Sequence, residues 1–112
     1  MQIDKVRYAM EWQLMRNTFP EFRAFARPPK FGWEGFLQGK KSGRLYGVVL
    51  ISTETTYPAY RPQVFITPRF GGNWLTDGSL CIDGHQSPWD AALHSFANTL
   101  LRVIEYMEKN NA

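Results

Sequence analysis

Asn73-Trp74-Leu75-Thr76-Asp77-Gly78-Ser79-Leu80-Cys81-Ile82-Asp83, running on through His85 to Ser87-Pro88-Trp89-Asp90, is the stretch on which the reading of this chain turns. It holds the only cysteine among 112 residues. Cys81 stands between Leu80 and Ile82, and a cysteine with apolar neighbours is usually a small buried hydrophobe. A lone cysteine is also a candidate nucleophile. His85 is a candidate base of the kind cysteine hydrolases use, but such sites need a third, orienting group. On these residues alone both readings stand. Asp77-Gly78 reads as a turn, with Gly78 able to take a positive φ. Beyond the cysteine, Ser87 can cap a helix, Pro88 suits its first position and Asp90 completes a capping-box pattern. Leu93, Phe96, Leu100, Ile104 and Met107 then recur at helical spacing as its apolar stripe.

Upstream, Tyr57-Pro58 and Pro62 precede a short apolar strand, Gln63 to Thr67, and Pro68, Gly71, Gly72 and Gly78 make residues 68–80 irregular. Residues 31–38 and 44–54 read as strands about the turn Lys40-Lys41-Ser42-Gly43, with Val48, Val49, Leu50 and Ile51 supplying β-propensity. Pro20 and Pro28-Pro29 keep residues 19–30 from forming one long helix. Residues 3–18 read as a helix, with Ile3, Val6, Met10 and Leu14 on one face and Lys5, Trp12 and Arg16 on another. A helix, an antiparallel meander, an irregular cysteine-bearing segment and a second helix make an α+β pattern.

A chain this short is one domain, residues 1–112, with enough length for one core. Hydrophobic residues at 44% and aromatics at 15% are those of a folded globule. No run approaches the ~18 apolar residues of a membrane span, and Met1-Gln2-Ile3-Asp4-Lys5 lacks the apolar stretch of a signal peptide. A single cysteine suits a reducing compartment, so the expected location is cytoplasmic. The spacing of His85 and His94 matches no metal motif, and neither metal nor cofactor is expected. The net charge of +3 is uneven: residues 1–61 carry ten Lys/Arg against five Asp/Glu, residues 62–112 three against five. No basic run exceeds Lys40-Lys41, which argues against nucleic acid and leaves an acidic protein partner or a plain solvated surface.

Taken in order, these landmarks resemble the E2 ubiquitin-conjugating family. The family has a Tyr-Pro turn, here Tyr57-Pro58, and a following proline before a strand, here Pro62 before Val64-Phe65-Ile66. Its motif asparagine lies eight residues before the catalytic cysteine, as Asn73 does before Cys81. Asp-Gly stands just upstream, here Asp77-Gly78, and a tryptophan opens a helix eight residues beyond, here Trp89. The resemblance covers residues 57–104; over residues 3–54 only the order of helix and hairpin agrees. It departs from the family where Gly71-Gly72 replaces His-Pro and where Ser87-Pro88-Trp89-Asp90 rearranges Trp-Ser-Pro-Ala. The acidic gate beyond the helix and the two C-terminal helices of most members have no counterpart in these residues.

The resemblance implies a minimal UBC-like α+β fold: a four-stranded antiparallel meander flanked by an N-terminal and a C-terminal helix. It implies that Cys81 carries an acyl group as a thioester and passes it to an amine. Asn73 then either stabilises the oxyanion or pins the loop, and His85 is a candidate polar or proton-accepting group. Tyr57-Pro58 and Trp89 read as scaffold. Lys5 and Arg16 are candidates for docking an acidic E1 surface. The implied partners are an E1-like activating enzyme, a ubiquitin-like modifier and an acceptor amine. In the antiphage CBASS operons that hold small E2-like proteins, the C-terminus of a cGAS-like nucleotidyltransferase takes the modifier's place. A non-catalytic E2-variant or RWD-like binding module is the alternative, although such domains lack the cysteine.

Overall fold

The computed structural model describes residues 5–81 and 89–112. Its elements are α1 (Lys5–Thr18), β1 (Arg23–Arg27), β2 (Lys30–Gln38), β3 (Leu45–Thr53), β4 (Gln63–Thr67) and α2 (Phe96–Lys109). The strands pair in chain order, each antiparallel to the next. The α+β class and the antiparallel run of β2, β3 and β4 are those read from the residues, and the count of four strands is the one the family resemblance implied. β2, β3 and β4 fall within a residue of the expected strands, because β-branched and aromatic residues bounded by turn residues mark them. In β3, Tyr46, Val48, Leu50 and Ser52 are buried, with less buried residues between them.

β1 was hidden within residues 19–30, where the sequence excludes only a long helix. Arg23-Ala24-Phe25-Ala26-Arg27 has little strand propensity of its own, and β2 templates it: Ala24 pairs with Trp33 and Ala26 with Phe31. Arginines at both ends suit an edge strand, since charge there discourages further pairing.

One face of the sheet carries the core. Phe31, Trp33, Val48, Leu50, Val64 and Ile66 from the strands meet Phe96, Leu100, Val103 and Met107 from α2. Two expectations about the helices are overturned. In α1, Val6, Met10 and Leu14 are 75%, 55% and 41% exposed, while Glu11 and Met15 are buried. Ile3 lies outside the described residues. The side that meets the sheet is Tyr8, Glu11, Trp12 and Met15: Tyr8 approaches Phe31 at 6.3 Å and Trp12 approaches Trp33 at 5.1 Å between ring centroids. Aromatic area and a buried carboxylate outweigh three scattered aliphatic side chains.

In α2 the start is Phe96, not the Pro88 region. Ser95 is the N-cap, extended at φ −148° and ψ 178°, and its hydroxyl accepts the Asn98 N–H. Residues 90–94 instead close a separate turn. The Asp90 carbonyl accepts the Leu93 and His94 N–H groups, and its carboxylate accepts the Ala92 N–H. Asp90 therefore serves this local turn rather than a capping box, and Ser87 and Pro88 lie outside the described residues. Leu93 is left exposed and Ile104 half-buried, while Ala97 and Val103 complete the buried stripe.

Candidate functional site

Cys81 ends a small hairpin whose only bridge is Trp74 to Leu80. Its backbone N–H donates to the Asn73 carbonyl at 2.8 Å, and the Leu80 N–H donates to Val64 of β4 at 2.8 Å. The cysteine is thereby fixed at both ends of its local frame: across the hairpin to Asn73, and through Leu80 to the sheet. Cys81 is half-buried, so its thiol is neither a sealed core group nor a loose surface one.

The hairpin tip explains its own sequence. Leu75 N–H donates to Ser79 O at 2.8 Å and Gly78 N–H to Leu75 O at 3.0 Å, closing a tight turn in which Gly78 takes φ +93°. The Asp77 carboxylate accepts the Ser79 hydroxyl at 2.6 Å, the Ser79 N–H at 2.8 Å and the Gln63 amide at 2.9 Å. These donors, the Ser79 hydroxyl foremost, hold Asp77 below the usual carboxylate range.

Asn73 is exposed and sits at φ +69°, a left-handed conformation that asparagine tolerates better than most residues. Its demonstrated contact is the carbonyl that accepts Cys81 N–H. Gly71 takes φ +67°, and a Cβ there would lie 2.5 Å from the Tyr106 hydroxyl and 2.6 Å from Asn110 Oδ1. That close approach lets Tyr106 of α2 donate to Gly72 O at 2.6 Å, with Phe70 O at 2.8 Å. A tyrosine 34 residues away thus ties down the entry to the cysteine hairpin. Nothing near Gly72 in sequence signals it.

The far side of the cysteine is held by a second polar cluster that the sequence reading missed. Glu11 is buried in α1 and pairs with Arg7 at 2.7 Å. Its carboxylate also accepts the Tyr57 hydroxyl and the Phe96 N–H, the latter at 2.8 Å, so a negative charge lies at the α2 N-terminus, where the helix dipole favours it. Arg7 in turn donates to the carbonyls of Ala91 and His94. Trp89 donates its indole N–H to Pro58 O at 2.6 Å and packs on Tyr57 at 6.1 Å. The Tyr57–Pro58 bond is cis. Residues 89–96, which re-enter the described chain after the cysteine, are therefore clamped to α1 and to Tyr57-Pro58. The one legible signal was Glu11 itself, a carboxylate inside the Tyr8, Trp12, Met15 stripe and four residues after Arg7.

Burial, then the adjacent Glu11 charge, pushes the Tyr57 hydroxyl well above the usual phenol range. Lys5 and Arg16 are both exposed on α1, with Arg16 in its last turn. They lie eleven residues apart, close to three full turns, and so share one side of the helix. His85 lies outside the described residues. Among the described residues no three His, Cys, Asp or Glu side chains gather as a metal site would, and no helix is long and apolar enough to cross a membrane. The sequence matches no protein-family model and no curated protein.

Proposed function

We propose that this chain is an E2-like conjugating protein with a minimal UBC-like fold, in which Cys81 carries an acyl group as a thioester. The observation that carries the proposal is the setting of Cys81. A half-buried thiol ends a hairpin fastened to the last strand of an antiparallel meander, with Asn73 paired to it eight residues before and Trp89 locked on Tyr57-Pro58 eight residues after. A surface that holds a thiol rigid and part-exposed suits an acyl carrier, which must meet two partners in turn.

In this mechanism Cys81 Sγ, as thiolate, attacks the acyl carbon of an E1 thioester. The new C–S bond forms as the bond to the E1 sulfur breaks, and the E1 thiolate leaves. An acceptor amine then attacks the same carbon and loses a proton, the C–S bond to Cys81 breaks, and an amide results. A thiolate is intrinsically nucleophilic, so the step needs no strongly lowered pKa. Asn73 acts on the oxyanion or orders the hairpin, and His85 is a candidate proton acceptor. Lys5 and Arg16 dock an acidic E1 surface, where exposed charges chiefly speed encounter. The acyl group is the C-terminus of a ubiquitin-like modifier or of a cGAS-like nucleotidyltransferase, and a reducing, cytoplasmic setting keeps the thiol reduced.

The test is charging by a candidate E1 with ATP and modifier, read by intact mass. Wild type gains an adduct that thiol removes, Cys81→Ser gives a thiol-resistant ester or none, and Cys81→Ala gives none. An adduct on Cys81→Ala, or a native Cys81 inert to alkylation, sinks the proposal. Asn73→Ala separates that residue's two roles. Charging retained with discharge slowed on the order of 10²-fold marks an oxyanion donor, and joint loss of charging and thermal stability marks a loop anchor.

A further inference from the structure

The two edges of the sheet end differently. On the β4 side the cysteine hairpin continues the bonding, since the Leu80 N–H donates to Val64 O at 2.8 Å. On the β1 side the sheet stops: β1 pairs with β2, and among the described residues no strand pairs with its other side. Register settles which backbone groups face outward there. Just beyond the two ends of β2, Gly39 N–H donates to Arg44 O at 2.8 Å and Pro29 O accepts the Glu54 N–H at 2.9 Å, so the odd-numbered positions bond toward β3. Bonding direction alternates along a strand, and Lys30, Gly32 and Glu34 therefore turn toward β1, where they meet Arg27, Phe25 and Arg23. The N–H and C=O groups of Ala24 and Ala26 are left pointing away from the sheet, and among the described residues nothing bonds them. An open row of this kind is a template for another strand.

The side chains along the edge select what can use it. Ala24 and Ala26 lie opposite Trp33 and Phe31 on the core face, so Arg23, Phe25 and Arg27 share the other face. Both arginines are exposed and Phe25 is half-buried. Arg27 makes no ion pair or side-chain hydrogen bond among the described residues. Arg23 lies 3.9 Å from Glu34, too far for a hydrogen bond, and its side chain is 84% exposed. Glu21, the next acid along the chain, stands in the turn before the strand and outside its paired positions. Two copies of β1 joined antiparallel about Phe25 would set Arg23 of each against Arg27 of the other, and like charges directly opposite are destabilising. The charge that turns away a second copy attracts an acidic strand.

From this geometry we propose that β1 is the docking edge for an extended acidic peptide, which adds one antiparallel strand to the sheet. Its main chain bonds the outward N–H and C=O groups of Ala24 and Ala26. The peptide residues facing Arg23, Phe25 and Arg27 then form the closer pairs, with Cα atoms about 4.5 Å apart and side chains in contact. The matching pattern is acid, any residue, apolar, any residue, acid: a carboxylate opposite each arginine and a β-branched or aromatic side chain over the open part of Phe25. Main-chain bonds supply the affinity and the alternate side chains the selectivity. The inference does not rest on the conjugation reading.

The probe is a labelled, end-capped peptide, Thr-Glu-Thr-Val-Thr-Glu-Thr, read by fluorescence anisotropy and by NMR amide exchange of the protein. It should bind at about 50 mM salt and more weakly as salt rises, and it should slow exchange at the Ala24 and Ala26 N–H groups. Methylating the main-chain nitrogens of the two threonines beside valine removes the donors to Ala24 and Ala26 at constant charge, and should weaken binding about tenfold or more. Replacing both glutamates by lysine should weaken it about tenfold. Arg23→Glu combined with Arg27→Glu, both exposed positions, should reverse that preference, and binding of the lysine peptide would show that the variant is folded. The methylated peptide decides on wild-type protein, whatever the stability of the variant. No binding, equal binding of the methylated peptide, exchange unchanged at Ala24 and Ala26, a charge preference that the folded variant keeps, or self-association that protects Ala24 and Ala26 without peptide would each overturn the proposal.

Discussion

The two helices have the same length, fourteen residues, and opposite means of attachment. α2 is held as an amphipathic helix should be: Phe96, Leu100, Val103 and Met107 fill the core, and Ser95 caps its start. α1 turns Val6, Met10 and Leu14 to solvent and is held by aromatic contacts, Met15 and the buried Glu11 with Arg7 and Tyr57. Apolar periodicity reports where greasy side chains recur. It does not report that a carboxylate with partners on two other segments can anchor a helix better than an aliphatic stripe.

Breaking the polar anchor should cost most. Glu11→Ala leaves the Arg7 charge, the Tyr57 hydroxyl and the Phe96 N–H without their shared acceptor, and removing one member of a buried pair costs about 3–5 kcal/mol. Urea unfolding checks this, and a loss below about 1 kcal/mol would mean that the cluster is not what holds α1. On the other helix, Leu100→Ala opens a cavity at a fully buried site and should cost about 2–5 kcal/mol by the same measurement.

Tyr57→Phe removes one hydrogen bond to a charged acceptor and should cost about 1.5–3 kcal/mol at neutral pH. It also has a pH signature. Burial and Glu11 raise the Tyr57 hydroxyl's folded-state pKa, so the neutral form is favoured in the fold. That contribution is fully present below the unfolded value of about 10 and is lost as pH rises above it. The melting temperature of wild type should fall above that pH, and that of Tyr57→Phe less steeply. Some fall remains because burial also raises Tyr106. Identical pH profiles would show that Tyr57 is not the titrating group.

The smallest effect belongs to the exposed stripe. Val6→Gln, Met10→Gln and Leu14→Gln should each change stability by no more than about 0.5 kcal/mol, because no core contact is lost. A drop above about 2 kcal/mol for any one of them would restore the apolar-face reading of α1.

Where a local pattern implies a local structure, the sequence alone was sufficient: the β-propensity of Val48 to Ile51 in β3, the Lys40–Gly43 turn, the Asp77-Gly78 turn, and the existence and face of most of α2. The candidate site was nominated by the family resemblance that the spacing of Asn73, Cys81 and Trp89 carries. Only the tertiary structure decided the rest. β1 exists because β2 offers it a partner, and α2 starts at Phe96, capped by Ser95, because Asp90 is spent on its own turn. Tyr106 reaches Gly72, and Glu11 reaches Tyr57 and Phe96, across distances in sequence that carry no signal. Arg23, Arg27 and Lys30 form no run along the chain and come onto one face of the sheet only through strand register. Local conformation follows from neighbours a few residues apart, whereas buried polar partners and surface charge fields depend on segments that meet only once the chain has folded.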